Sequence, residues 1–337
     1  MPFYKSINPA TTEGKRTIEG LIRLREKLNV EIPVSRTDGN LLVCSWNIRE
    51  FGGTKYNGRE DEPLFYIAEI ISRFDLVAVQ EVRDDLDALD KLMNKLGSWW
   101  KYLVSDVTQG KQGNSERLAF LYDSRKVSFG GLIGEIQPAM TKTEDGMLNA
   151  DFAFARSPLM AGFRAGWYKF SICTDHFYYG ESKPDDVQRV EESKRITDLL
   201  KKRAKSKDRW ASNIILLGDF NIFSLNDETF KVIEEAKFTI PEALRGKYTN
   251  AGKDKPFDQI AFLEEGNVDK IVVSNAGVFD FYSAVYREEI DMGCYQIEDP
   301  KDFRQYRTYK MSDHLPLWVE LETNFGTGYL QSKLEQK

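Results

Sequence analysis

The chain has 337 residues, 41% apolar and 30% charged, with 24 glycines and 11 prolines, which allows a sizeable core and excludes collagen-like, low-complexity and wholly disordered readings. Its formal charge of −6 disfavours a protein that coats nucleic acid through overall positive charge. No run approaches the roughly 18 uninterrupted apolar residues of a membrane span, and the opening MPFYKSINPATTEGKR lacks a signal peptide's apolar centre. Ile18, Leu21, Ile22 and Leu28 recur at helical spacing among charges and predict one helix packed on the main body, followed by a linker from Pro33 to Gly39. From residue 41, short apolar runs alternate with helical patterns: LLVCSW, then 60–73, DLVAVQ, then 85–96, KYLVSD and ERLAFLYD. The second half continues with WYKFSICTDH, a charged helix over about 185–207, NIILLGDF, a helix near 226–236, FDQIAFL and LPLWVEL. This is an α/β rhythm without a short internal repeat.

Polar residues fall where apolar strands end: Asn47 after LLVCSW, Glu81 after DLVAVQ, His176 after FSICTD, and Asp219 and Asn221 after NIILLG. Strand ends that feed loops are where α/β sheets assemble ligand sites. Asn47, Glu81, Asp219, Asn221 and Asp313 are hard oxygen donors of the kind Mg2+ prefers, with Mn2+ or Ca2+ as substitutes. Only two histidines occur, His176 and His314, each beside an acidic residue and each open to orientation by a more distant carboxylate. A divalent ion with two histidines suits phosphoester hydrolysis. The three cysteines, Cys44, Cys173 and Cys294, are far apart, which argues against a disulfide framework or a thiolate zinc site and implies reduced thiols in a cytoplasmic setting.

WNIREFG, VQEVRD, GDFN, FDQI and SDHLP occur in this order and spacing. Together they resemble the endonuclease/exonuclease/phosphatase superfamily, and Arg49 after Asn47, the VRD after Glu81 and ERLAFLY at 116–122 resemble its deoxyribonuclease I branch more closely. The resemblance implies an α/β fold, a four-layered sandwich of two packed mixed β-sheets flanked by helices, with the site at one edge. It implies one domain over 40–323, preceded by a helical extension and linker over 1–39 and followed by a tail over 324–337. By the same resemblance, Glu81 is the principal metal ligand, with Asn47 beside it; Asp313 is a further candidate as a hard oxygen donor. Asp219 and Asn221 bind phosphate and position the attacking water, His314 pairs with Asp258, and His176 pairs with Glu116. Both histidines of the chain therefore land on catalytic positions.

Arg49, Arg83 and Arg156 match substrate-contacting positions, while Asn114 stands where the branch carries a tyrosine for the minor groove. Lys201, Lys202, Arg203, Lys205, Lys207 and Arg209 offer a further phosphate contact, and the stretch 286–310 interleaves Tyr295, Tyr306 and Tyr309 with Arg304 and Arg307 just before SDH. The expectation is a Mg2+-dependent phosphodiesterase, a DNA endonuclease working by in-line attack of water, whose partner is nucleic acid. The alternative enzyme acts on inositol phosphates, lipid headgroups or other small phosphoesters. A binding module with an incidental site is the third reading. The sequence names no protein partner.

Overall fold

Runs such as LLVCSW, DLVAVQ and IILLGD are buried without a break, as central strands covered on both faces must be. The computed structural model describes residues 2–53, 58–109, 113–138, 140–142, 145–150, 152–263 and 271–335. In chain order, α1 (Thr12–Glu31), β1 (Asn40–Phe51), α2 (Asp61–Ile71), β2 (Leu76–Arg83), α3 (Asp87–Leu96), β3 (Trp100–Val104), β4 (Glu116–Asp123) and β5 (Val127–Glu135) precede a small hairpin of β6 (Met140–Lys142) and β7 (Leu148–Ala150). The second half runs β8 (Leu159–Ala165), β9 (Tyr168–His176), α4 (Val187–Lys205), β10 (Ile214–Asp219), α5 (Glu228–Glu235), β11 (Phe238–Thr239), β12 (Asp258–Leu263) and β13 (Val273–Val278). It closes with α6 (Glu288–Asp291), α7 (Pro300–Lys310), β14 (Leu317–Glu322) and α8 (Gly326–Glu335).

Two mixed six-stranded sheets result, ordered β13-β14-β1-β2-β4-β3 and β11-β12-β10-β9-β8-β5. Each has one parallel pair at its centre, β1 with β2 and β9 with β10, and antiparallel neighbours on both sides. Leu41, Val43, Leu76, Ala78 and Phe120 of the first sheet share a buried cluster with Phe163, Phe170 and Ile172 of the second, joined by Ile196 and Leu200 of α4 and Phe230 of α5. The alternate residues Leu42, Cys44, Trp46, Val77 and Val79 face the other way, against Leu64, Ile67 and Ile71 of α2 and Leu89 and Leu92 of α3. The architecture is the α/β sandwich expected, two packed mixed sheets flanked by helices. Where this core ends, Gln80 Nε2 donates to Thr174 Oγ1 (2.9 Å) and Ser45 Oγ (3.3 Å), forming a buried polar layer that joins the two sheets beneath one edge.

Helix α1 is capped by Thr11, whose Oγ1 accepts from the Gly14 N–H at 3.0 Å. Its buried stripe is Leu21, Leu24 and Leu28, while Ile22 is 53% exposed. At about 100° per residue, Leu28 falls between Leu24 and Leu21 on one face and Ile22 turns outward. Arg16 and Arg25 ion-pair with Glu62 and Glu69 of α2, so the helix docks on α2. The 286–310 stretch folds as α6 and α7 rather than as an open loop. Tyr295, Tyr306 and Phe303 pack on one another and on Tyr286, which takes most of that aromatic surface into the fold. The tail forms α8, and residues 336–337 lie outside the described residues. No helix among the described residues is long and apolar enough to cross a membrane.

Candidate active site

Topology brings the motif residues to one edge. The parallel strands β1, β2, β9 and β10 finish there, and their antiparallel neighbours β4, β12 and β14 start there. Asn47 therefore lies near the end of β1, Glu81 on β2, His176 and Asp219 at the ends of β9 and β10, and Glu116 and Asp258 at the starts of β4 and β12. In register, Asp219 stands opposite both His176 and Asp258, and Arg83 stands opposite Glu116. Gly218 makes the β9–β10 approach possible: its φ is +143°, and a Cβ there would lie 1.9 Å from the Asp175 carbonyl oxygen. Between Val79 and Val82 the β2–β4 register slips, and Glu81, in that bulge, has φ +61°. Such backbone costs a non-glycine residue on the order of 1–2 kcal/mol and is kept where it re-aims a side chain.

The side chains converge on one oxygen. Asp219 Oδ2 accepts from Asn47 Nδ2 at 3.0 Å, lies 3.4 Å from His176 Nε2 and lies 3.6 Å from His314 Nε2. Each histidine turns its other nitrogen to its own buried carboxylate, His314 Nδ1 to Asp258 Oδ2 at 2.7 Å and His176 Nδ1 to Glu116 Oε2 at 3.0 Å. That arrangement fixes both rings and leaves both Nε2 atoms facing the same point. Asp219 Oδ1 accepts from the Asn221 N–H at 3.0 Å, and Asn221 Nδ2 donates to the Phe177 carbonyl at 2.8 Å.

Burial works against charge on His314, but Asp258 and Asp219 outweigh it and hold the imidazolium well above the ordinary range. Asp219 is held below its usual value against burial by His314 and then His176. Burial also opposes the Glu116 charge, yet His176 and Arg156 hold that carboxyl down to about 2. Glu81 goes the other way: burial, and then the neighbouring Glu116, push it up.

Asn47 Nδ2 donates to Glu81 Oε1 at 2.9 Å, the Glu50 N–H donates to Glu81 Oε2 at 2.9 Å, and Asn47 Oδ1 is buried without a hydrogen-bond partner. One atom each from Glu81, Glu116 and His176 lie within 4.8 Å of one another, and the same holds for Asp219, Asp258 and His314. An orphaned carbonyl oxygen beside crowded carboxylates fits a hard divalent cation. Glu81 and Asn47 are the residues that would hold it. The other metal candidate, Asp313, belongs to neither group but acts electrostatically on Glu81 and His314, its half-exposed carboxylate 3.5 Å from Arg49 Nη1.

The three arginines are all at this edge, but each is engaged. Arg156, buried, donates to Glu116 from Nε at 2.5 Å and reaches the His176 carbonyl at 3.5 Å. Arg83 lies 3.6 Å from Glu50 and 4.0 Å from Glu116. Arg49 donates to Thr308 Oγ1 at 2.7 Å and lies over the Tyr309 ring. Asn114, in the aromatic's place, donates to Glu116 Oε1 at 2.7 Å. The basic run of residues 201–209 ends α4 and precedes the start of β10, so it sits at the edge opposite the site.

Three organising residues have no assignment in the sequence reading. Ser312 Oγ donates to the Asn47 carbonyl (2.7 Å) and accepts from the N–H groups of Arg49 (3.1 Å) and His314 (3.0 Å), tying the metal side to the histidine side. It lies within the SDH motif, so a signal for it existed. Arg59 is half-buried and donates to the carbonyls of Arg49, Lys310 and Met311, and Glu192 accepts from the N–H groups of Ala155 (2.6 Å) and Tyr178 (2.7 Å). No pattern marks either one. Ser312→Ala is expected to cost about 1–3 kcal/mol, because two buried N–H groups and a carbonyl lose their partner. It should also lower turnover by letting the His314 loop drift; denaturation and steady-state assays matching the parent in both respects would contradict this.

The profile of the Endonuclease/Exonuclease/phosphatase family matches residues 44–314. Deoxyribonuclease-1 of Bos taurus is 28% identical over 262 residues, covering 73% of this chain and 85% of the relative. Among solved structures, Bacteroides thetaiotaomicron mannosyl-6-phosphatase is 18% identical with a TM-score of 0.53, covering 83% of this chain and 99% of that one. D. rerio TDP2 complexed with single strand DNA product is 15% identical with a TM-score of 0.52, covering 85% and 100%.

Proposed function

Because the chain belongs to the endonuclease/exonuclease/phosphatase family, on its deoxyribonuclease I-like branch, we propose that this hydrolase is a Mg2+-dependent phosphodiesterase and a DNA endonuclease. The observation that carries the reading is the convergence of Asn47, His176 and His314 on Asp219 Oδ2, with each histidine backed by a buried carboxylate. Bound Mg2+ would offset charge on the phosphoryl oxygens from a seat on Glu81 and Asn47. The chain's own groups handle the protons. His314, held as imidazolium, donates to the leaving oxygen as the P–O bond breaks. Asp219 orients the attacking water in line, and His176, steadied by Glu116, accepts the proton that water loses.

Support for DNA comes from the resemblance to deoxyribonuclease-1 and from arginines along the edge. The structural neighbours share the fold alone. A second reading, hydrolysis of a small phosphoester, is favoured by one observation: Asn114 and Arg156 are both spent on Glu116, which leaves less to grip a duplex. Duplex and single-stranded oligonucleotides, RNA, inositol phosphates and bis(4-nitrophenyl) phosphate, assayed in parallel, test the choice. Cleavage of DNA well above the small esters is expected; turnover confined to a small ester would replace the nuclease reading with the second one.

A further inference from the structure

Helix α7 and the turn at residues 250–252 enclose a cleft of about 360 Å3 that opens beside His314. Its walls include Arg49, Arg304, Gln305, Asn250 and Phe257, with Arg307 at its base. The volume sits at the small end of the ~300–1,000 Å3 range of ligand pockets, on the scale of a single nucleotide unit. Three guanidinium groups line it against one carboxylate, Asp313. Glu288 pairs with Arg304 at 2.7 Å and lies 3.5 Å from Arg307. This is a local positive excess in a chain whose net charge is −6.

The arginines are not equally free. Arg307 is fixed beneath the cleft, over the Tyr282 ring and against the Tyr286 carbonyl. Arg49 is held by Thr308 and Tyr309. Arg304 has a side chain 54% exposed, and its partner Glu288 is 28% exposed; a surface pair of this kind is weak and readily exchanged for a phosphate, which guanidinium binds in a bidentate fork. On the opposite wall, the Phe257 ring lies 5.7 Å from the His314 ring and is tilted 31° from it. Phe257 also meets Phe223 and Tyr179 at steep angles, and it sets an aromatic ring beside the group that meets the leaving oxygen, where a base can approach.

We propose that this cleft is a subsite for the nucleotide next to the scissile phosphate, with Arg304 contacting its phosphodiester and Phe257 its base. The inference rests on the nucleic-acid reading above and extends it to α7, a segment outside the catalytic motifs. A minimal diester has no neighbouring nucleotide and does not use the subsite. Arg304→Gln should therefore raise KM for a duplex oligonucleotide about tenfold with kcat within twofold. It should make the log–log salt dependence shallower by about 0.9, the loss of one phosphate contact, while acting far less on bis(4-nitrophenyl) phosphate. Glu288→Gln releases Arg304 and should move KM for the oligonucleotide the other way.

Steady-state assays of both variants and the parent, on both substrates across a salt series, read this out. Parental KM and salt slope for Arg304→Gln, or an equal loss on both substrates, would overturn the subsite while leaving the nuclease reading in place. A parent that turns over the minimal diester but neither binds nor cuts the oligonucleotide would overturn the nucleic-acid reading, and the subsite with it.

Discussion

Replacing His314 with alanine is expected to lower kcat on a phosphodiester at least about 1,000-fold, equivalent to about 4 kcal/mol of transition-state stabilisation. The imidazolium is lost from the side of the site where charge leaves, and no other cation among the described residues stands in its place. The same change should also weaken the fold. Asp258 is buried, its Oδ1 already lacks a hydrogen-bond partner, and its Oδ2 is bonded to His314 Nδ1. Without the histidine a buried carboxylate is left unpaired, which costs about 3–5 kcal/mol when the charge cannot neutralise and less when it protonates. The double change His314→Ala with Asp258→Asn removes that charge, so it should recover much of the stability and none of the turnover. Melting curves and single-turnover rates of the two variants separate the roles. A single variant that keeps a tenth of parental turnover would show that His314 is not a reacting group.

Glu81→Gln carries the second large effect. One anionic donor becomes neutral in a place where burial and Glu116 already make the charge unwelcome unless a cation is present. The Mg2+ concentration for half-maximal activity should rise about 10–100-fold, with kcat at saturating Mg2+ falling much less than in the His314 variant. Calorimetric titration with Mn2+ provides a readout independent of turnover. The parent should bind and the variant should bind far more weakly; superimposable titrations would show that Glu81 is not a ligand.

The elements and the site residues were legible to different depths. Strand runs such as LLVCSW, DLVAVQ and NIILLGDF announce themselves by apolar content and by the polar residue at their end, because buried parallel strands read as continuous apolar stretches. Their meeting at one edge follows from strand order, which local pattern does not encode; only the order of the five motifs anticipated it. Partner assignments across long distances, His314 with Asp258 and His176 with Glu116, likewise came from resemblance and not from spacing.

Residues whose role is to hold backbone were the least visible. Arg59 joins the Arg49 carbonyl to those of Lys310 and Met311, which it meets only after the chain closes, and Glu192 reads as one more charge on a charged helix. Charge alone does not say where a basic group ends up. The run at 201–209 looks like a phosphate grip, yet α4 directs it away from the site. Arg156 is largely taken up by Glu116. The tyrosines at 295 and 306, which look like a stacking surface, pack among Tyr286 and Phe303 because a short helical pair needs an apolar core of its own.

The most direct test of the account is nicking of supercoiled plasmid by the purified protein in Mg2+ and in chelator, beside His314→Ala. Relaxed circles are expected with the parent in Mg2+, and intact plasmid both in chelator and with the variant. Intact plasmid in every lane would contradict the nuclease, and nicking that persists in chelator or in the His314 variant would contradict the site built here.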